Sequence, residues 1–218
     1  MDHLCYAEVF MGMGGVFLKR HRAPKCEVIN DISQDVTNLF RILQRHYEAF
    51  MGELKYRHTS RADFARLNAT APDQLTDLER AARFLYLQKT GFGGKVTGRV
   101  YGTLTTSGAR FDVNKLGPIL DAIHERMGGV QIECLDYAKF ISVYDRPHTL
   151  FYIDPPHYNH EDDYGKGVFN RENFGQLAEQ LATIKGDFIM SINDLFKGRA
   201  KGLCLHDLRL RCGDRHEN

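Results

Sequence analysis

The segment that most restricts the fold is Thr149-Leu150-Phe151-Tyr152-Ile153, followed at once by Asp154-Pro155-Pro156-His157. Five consecutive apolar or β-prone residues with no polar alternation describe a strand covered on both faces, which is the environment of a parallel sheet flanked by helices. Two prolines then remove two backbone donors and stop the strand in a rigid turn. The tetrad is therefore delivered to a sheet edge, with a carboxylate and carbonyl acceptors in the turn and few donors.

The rest of the chain supplies the elements that such a sheet needs. Tyr6 to Phe10 reads as a short strand that enters the glycine turn Met11-Gly12-Met13-Gly14-Gly15, and Val16-Phe17-Leu18 is expected to begin a helix. A second strand, Cys26 to Ile29, stops at Asn30-Asp31. Val36, Leu39, Phe40 and Leu43 then recur at helical spacing. Arg61 to Leu87 holds helical segments broken at Ala71-Pro72, with Leu78, Ala82 and Leu85, and Phe84 as a further candidate, on the apolar side of the second. Thr90 to Gly108 turns to glycine, serine and threonine, as in an exposed loop or hairpin. Leu116 to Met127 is helical again, and Val130 to Leu135 alternates like a strand ending at Asp136. Asn170 is placed to cap a helix bearing Phe174, Leu177, Leu181 and Ile184, and Gly186 stops that helix before the strand Phe188 to Ile192. The alternation predicts an α/β fold with right-handed crossovers.

Length and composition set the remaining bounds. With 218 residues and 43% hydrophobic content, one well-buried core is expected. A formal net charge of +1 neither points to nucleic acid nor excludes it. The five cysteines form no CxxC pair, and no apolar run approaches the roughly 20 residues of a membrane span. A cytoplasmic protein with reduced thiols and no membrane association is expected.

Ligands of open α/β sheets bind beyond the carboxyl ends of the strands, where three polar signatures fall: the glycine turn, Asp31, and Asp154-Pro155-Pro156. Taken alone, the glycine turn is also an ordinary turn. Asp31 suits either a ribose-binding carboxylate or a helix N-cap. The tetrad is more specific. An exocyclic amine on adenine is a poor nucleophile because its lone pair is delocalised into the ring. Acceptors such as the Asp154 carboxylate and the Pro155 carbonyl would draw its hydrogens out of plane and localise that pair.

Taken in order, these motifs resemble the Dam-like class of DNA adenine N6-methyltransferases, particularly the short forms of phages and prophages. The likeness spans Tyr6 to Asp194. It rests on Glu8-Val9-Phe10-Met11-Gly12-Met13-Gly14-Gly15, Val28-Ile29-Asn30-Asp31-Ile32, Phe84-Leu85-Tyr86-Leu87 with Phe92-Gly93-Gly94-Lys95, Phe151 to Pro156, and Ser191-Ile192-Asn193-Asp194. The resemblance implies a Rossmann-like S-adenosylmethionine-dependent methyltransferase fold with a mostly parallel sheet, an antiparallel strand near its end, and an inserted DNA-recognition segment. Residues 1–194 would form the catalytic domain, with 50–115 as the insertion and 195–218 as a divergent basic tail. S-adenosylmethionine would be the methyl donor, double-stranded DNA the partner, and no metal is implied. Glu8, Phe10, Gly12 and Gly14 would line the donor site, Asp31 would hold its ribose, and Asp136 would meet its adenine. Asp154, Pro155, Pro156 and His157 would face the target base, with Lys95, Arg99 and Arg110 on the phosphates.

Against the family pattern, Val9 stands where a proline is usual and His157 where a tyrosine is usual. Little precedes Tyr6, and 195–218 is polar, so the chain reads as shortened at both ends. Two other readings stay open: a DNA-binding remnant without turnover, and a metal-dependent hydrolase using His157, His160, Glu161, Asp162 and Asp163. Cys204, His206 and Cys212 match no common zinc spacing.

Overall fold

Five strands form a single sheet in the computed structural model, which describes residues 2–21, 23–92, 98–103, 105–106, 108–156 and 169–192. They are β1 (Cys5–Glu8), β2 (Cys26–Asn30), β3 (Gln131–Glu133), β4 (Thr149–Ile153) and β5 (Asp187–Met190). The order is β3-β2-β1-β4-β5, and every pairing is parallel. All the carboxyl ends therefore share one edge. Connections after β1 build outward through β2 to β3, after which the chain returns to place β4 on the other side of β1. Strand order thus reverses between β1 and β4, the position where open α/β sheets form a ligand crevice. The register pairs Glu8 with Ile29 on one side and with Tyr152 on the other, so the Asn30-Asp31 and Asp154 segments flank the glycine turn. No antiparallel strand joins this sheet among the described residues.

Neighbouring strand residues point to opposite faces, and each face has its own apolar layer. Tyr6, Ile29 and Leu150 pack with α1 (Gln34–Arg45), α2 (Tyr47–Leu54), α3 (Arg61–Ala69), α4 (Asp77–Thr90) and α5 (Val113–Arg126). Ala7, Val28, Phe151 and Ile153 pack with α6 (Tyr137–Tyr144) and α7 (Arg171–Leu181). This two-sided burial covers β1, β2 and β4, and is the reason β4 lacks polar alternation.

The helix boundaries follow local chemistry. Ser33 caps α1 by accepting from the Val36 N–H, and Val36, Leu39, Phe40 and Leu43 are all buried as their spacing predicts. Thr76 and Glu79 close a capping box on α4, and Asn170 and Asn173 close one on α7. The helix expected from Val16 is instead a single 3₁₀ turn, Phe17–Lys19. Only Phe17 of that stretch is fully buried while Val16 is exposed, so there is no apolar stripe to support further turns. Helices α2 and α6, each eight residues long, were not anticipated.

The 50–115 segment does not bury a core of its own. Phe50, Leu54, Phe64, Leu67, Phe84 and Phe111 belong to the same buried cluster as Tyr6, Ile29 and Leu150. The base of the expected hairpin is present: the Phe92 N–H donates to the Val100 carbonyl at 2.8 Å, and the Gly102 N–H to the Thr90 carbonyl at 2.9 Å.

A bidentate ion pair ties the far end of α5 to the start of β2. Arg126 Nη1 and Nη2 each donate to a Glu27 oxygen at 2.7 Å, and the guanidinium stacks 4.0 Å from the Phe17 ring centroid. Glu27 is buried, so removing its partner strands a charge in a poorly solvated position. Arg126→Ala is expected to destabilise the fold by about 2–4 kcal/mol in urea titrations; a loss below about 1 kcal/mol would show the pair to be surface-like.

Candidate active site

The glycine turn is held by its backbone to both neighbouring strands. Val9 N–H donates to the Tyr152 carbonyl at 3.0 Å and Met11 N–H to the Asn30 carbonyl at 2.8 Å. The chain then reverses through Gly12 (φ +50°) and Gly14 (φ +74°), conformations that side-chain-bearing residues rarely adopt. A Cβ on Gly14 would lie 2.7 Å from the Met11 side chain, whereas a Cβ on Gly12 would meet nothing within 4 Å. Gly12 thus borders open space at the carboxyl edge.

Asp31 fixes the turn from below. Its Oδ2 accepts from the Gly12 N–H and its Oδ1 from the Ser33 N–H, both at 2.8 Å. Burial pushes its pKa up, against the stabilising pull of those two N–H groups. The N-cap of α1 is Ser33 and not Asp31, which leaves Asp31 as the link between the turn and β2. Each carboxylate oxygen still has a second acceptor direction, the capacity that a ribose hydroxyl would use.

Asn30 has a role that the sequence reading did not assign. Its buried amide donates to the Val9 and Leu135 carbonyls at 3.0 Å each, and its Oδ1 accepts from the Leu135 N–H at 2.9 Å. One side chain therefore joins the segments leaving β1, β2 and β3. Leu135 leads directly to Asp136, which caps α6 by accepting from the Ala138 N–H at 2.9 Å. Beyond it, Phe10 lies 5.9 Å from Tyr137 and 5.7 Å from Phe169 between ring centroids, and Phe169 meets Phe174 edge-on at 4.9 Å. Tyr137 and Phe169 also went unassigned in the sequence. Their only local signals are adjacency to Asp136 and to the Asn170 cap.

Glu8 is 2% exposed, and its Oε2 accepts from the Tyr6 hydroxyl at 2.6 Å. Burial raises its pKa from 4.5 to about 7; the Tyr6 and Phe17 hydrogen bonds and Arg20 oppose the rise, while the Asp154 charge adds to it. The Arg20 guanidinium stacks 3.6 Å from the Tyr6 ring centroid. Asp154 itself is exposed at the end of β4, and Pro155 and Pro156 behind it are buried. The Tyr152 hydroxyl is raised by burial and by the charges of Asp154 and Glu8. Glu8, Phe10, Gly12, Gly14, Asp31, Asp136 and Asp154 thus all lie at or just beyond the carboxyl ends of β1 to β4, along one edge of the sheet.

Of the basic residues expected to meet DNA, Arg99 and Arg110 are described, and both lie at the hairpin. Arg99 is half-buried with its guanidinium 5.8 Å from the Phe84 ring centroid, and burial together with Arg83 lowers its pKa while Asp35 raises it. Arg110 Nη1 donates to the Gly91 carbonyl at 3.0 Å, at the base of the hairpin. His157, Lys95, the 157–163 run and the 195–218 tail lie outside the described residues. Among the described residues there is no gathering of three or more His, Cys, Asp or Glu side chains suited to a metal, and no helix is long and apolar enough to cross a membrane.

The family model for D12 class N6 adenine-specific DNA methyltransferases matches residues 2–197. The chain belongs to this family. A Type II methyltransferase of Lactococcus lactis subsp. cremoris is 25% identical over 210 residues, covering 86% of this chain and 71% of the relative. A DNA adenine methylase of Haemophilus influenzae is 25% identical over 195 residues, covering 82% of this chain and 63% of the relative. The resemblance read from the sequence is therefore borne out, as is the α/β fold. For a D12-class site, the convergence of Glu8 and Asp154 has a measurable consequence.

Folded Glu8 keeps its proton up to about pH 7, whereas the unfolded chain releases it near 4.5. The folded state binds more protons across that window, so the contribution of this group to stability is full below about pH 4.5 and is lost as pH rises through about 7. Glu8→Gln should remove that loss, with the variant gaining roughly 2–4 kcal/mol on the parent between pH 4.5 and 8 in unfolding titrations. A constant difference between the two across that range would contradict the assignment.

Proposed function

We propose that the chain is an S-adenosylmethionine-dependent methyltransferase acting on the N6 amine of adenine in double-stranded DNA, with Asp154 as its catalytic carboxylate. The observation that carries this reading is the placement of an exposed Asp154, backed by two buried prolines, beside the glycine turn at the β1/β4 reversal.

The residues of the edge fit the donor. Open space beside Gly12 admits a ligand against the backbone, Asp31 offers acceptors for ribose hydroxyls, and Phe10, Tyr137 and Phe169 supply an apolar, aromatic wall near Asp136 for a purine. When bound, S-adenosylmethionine supplies an electrophilic methyl group. The protein's part is to make the adenine amine nucleophilic. Asp154 and the Pro155 carbonyl accept its two hydrogens, and the proline pair keeps competing N–H donors out of the turn. Asp154 is exposed, so the proton lost by the methylated amine passes from the carboxylate to water. Burial raises the Glu8 pKa to about 7, so the group is only partly ionised at neutral pH, which lessens repulsion on the Asp154 carboxylate.

Reaching this turn requires the adenine to leave the helix stack, with His157 in position along the chain to stack on it. Residues 50–115, including Lys95, Arg99 and Arg110, are assigned to target recognition, and a cytoplasmic setting with no resident metal completes the proposal.

Labelled donor and duplex DNA test the reading. Asp154→Ala should lower label transfer at least about 100-fold while leaving duplex binding intact. Undiminished transfer would overturn the assignment, and duplex binding with no transfer by the parent chain would mark a remnant. Separately, Asp31→Ala should weaken donor binding by calorimetry about 10- to 100-fold, the range for losing hydrogen bonds to a charged acceptor; unchanged binding would move the ribose contact elsewhere.

A further inference from the structure

At the opposite edge of the sheet two thiols lie side by side. Cys5 opens β1 and Cys26 opens β2; the two are in-register partners, and Cys5 Sγ donates to Cys26 Sγ at 3.3 Å. Adjacent strands run about 4.8 Å apart, which falls inside the Cα separation a disulfide spans. A further approach of about 1.3 Å between the sulfurs would reach bonding distance. Neither thiol takes any part in the carboxyl-edge chemistry.

We infer that Cys5 and Cys26 form a redox-responsive dithiol that closes to a disulfide when met by a small-molecule disulfide such as oxidised glutathione. The two thiols differ in the way that such a reaction requires. Cys26 is half-buried and accepts from Gln131 Nε2 at 3.7 Å, so it is the sulfur that a reagent reaches. Cys5 is 6% exposed, and burial together with its contact to Cys26 pushes its thiol up to about 12, so it does not react first. In the first exchange the Cys26 thiolate attacks one sulfur of the oxidant, forming a mixed disulfide and releasing one glutathione thiolate. In the second, Cys5 gives up its proton to solvent and its sulfur attacks Cys26 Sγ, expelling the second glutathione. The protein loses two hydrogens, and one oxidised glutathione becomes two reduced molecules.

The link would join residues 21 positions apart and enclose the whole glycine turn. It would tie the amino ends of β1 and β2 without touching Asp31 or Asp154. In a reducing compartment the pair rests as thiols, so closure would report a shift toward oxidising conditions. The third described cysteine, Cys134, is exposed and donates weakly to the Ile32 carbonyl at 3.7 Å, with no second thiol beside it among the described residues.

Oxidised glutathione added to the full chain, followed by alkylation, non-reducing digestion and mass mapping, tests this directly. The expected product is a peptide joining Cys5 to Cys26, formed equally in Cys134→Ser and absent in Cys26→Ser. The linked protein should melt roughly 5–10 °C higher than the reduced one, as closing a loop of this size predicts. A stable glutathione adduct on Cys26 with Cys5 still free, or an unreacted pair while Cys134 is modified, would overturn the inference. The readout is independent of methyl transfer, so it stands or falls apart from the proposed activity.

Discussion

The hydrogen bonding of β1 to parallel partners on both sides is the constraint from which the site follows. With β2 on one flank and β4 on the other, the three chains must leave the sheet at the same edge, and the loops after them must turn in different directions. Open α/β sheets form a crevice at such a point, because one crossover continues away from β1 and the next returns past it. The glycine turn, Asp31 and Asp154 are neighbours for that reason alone, although they are far apart along the chain.

A parallel edge of this kind gathers polar groups where water is scarce, and each must find a partner. The buried Asn30 amide bonds to both β1 and β3 exit segments, Asp31 takes two backbone N–H groups, and Glu8 takes the Tyr6 hydroxyl. Such a network orders the loops before any ligand arrives, which lowers the conformational entropy that binding must overcome. Burial has the further effect of separating two carboxyls: Glu8 is driven toward its protonated form while the exposed Asp154 keeps contact with water.

Features determined by neighbours in the chain were legible before the fold was seen. The β4 strand and its proline-locked end, the Val36 to Leu43 stripe, and the Asn170 cap all depend on contiguous residues, and each appears where its pattern puts it. Features determined by distant partners were not. The bond from Asn30 to Leu135 spans 105 positions, and Phe10 meets Tyr137 and Phe169 only through tertiary packing. Asp31 shows the limit most plainly. Its type and position were compatible with a cap, and only the folded loop shows Ser33 taking that task and Asp31 turning to Gly12. The Val16 stretch failed differently, because three apolar residues do not specify how many turns they can bury.

The continuity of the core across residues 50–115 limits how freely that segment can be exchanged between relatives. Phe50, Phe64, Phe84 and Phe111 interlock with the sheet face through Tyr6 and Leu150, so the segment is no detachable cassette. Grafting the corresponding stretch from a relative at 25% identity would import mismatched packing into the enzyme's own interior. Sequence divergence in this segment is therefore channelled into side chains on its outer surface, where a substitution leaves the foundation undisturbed.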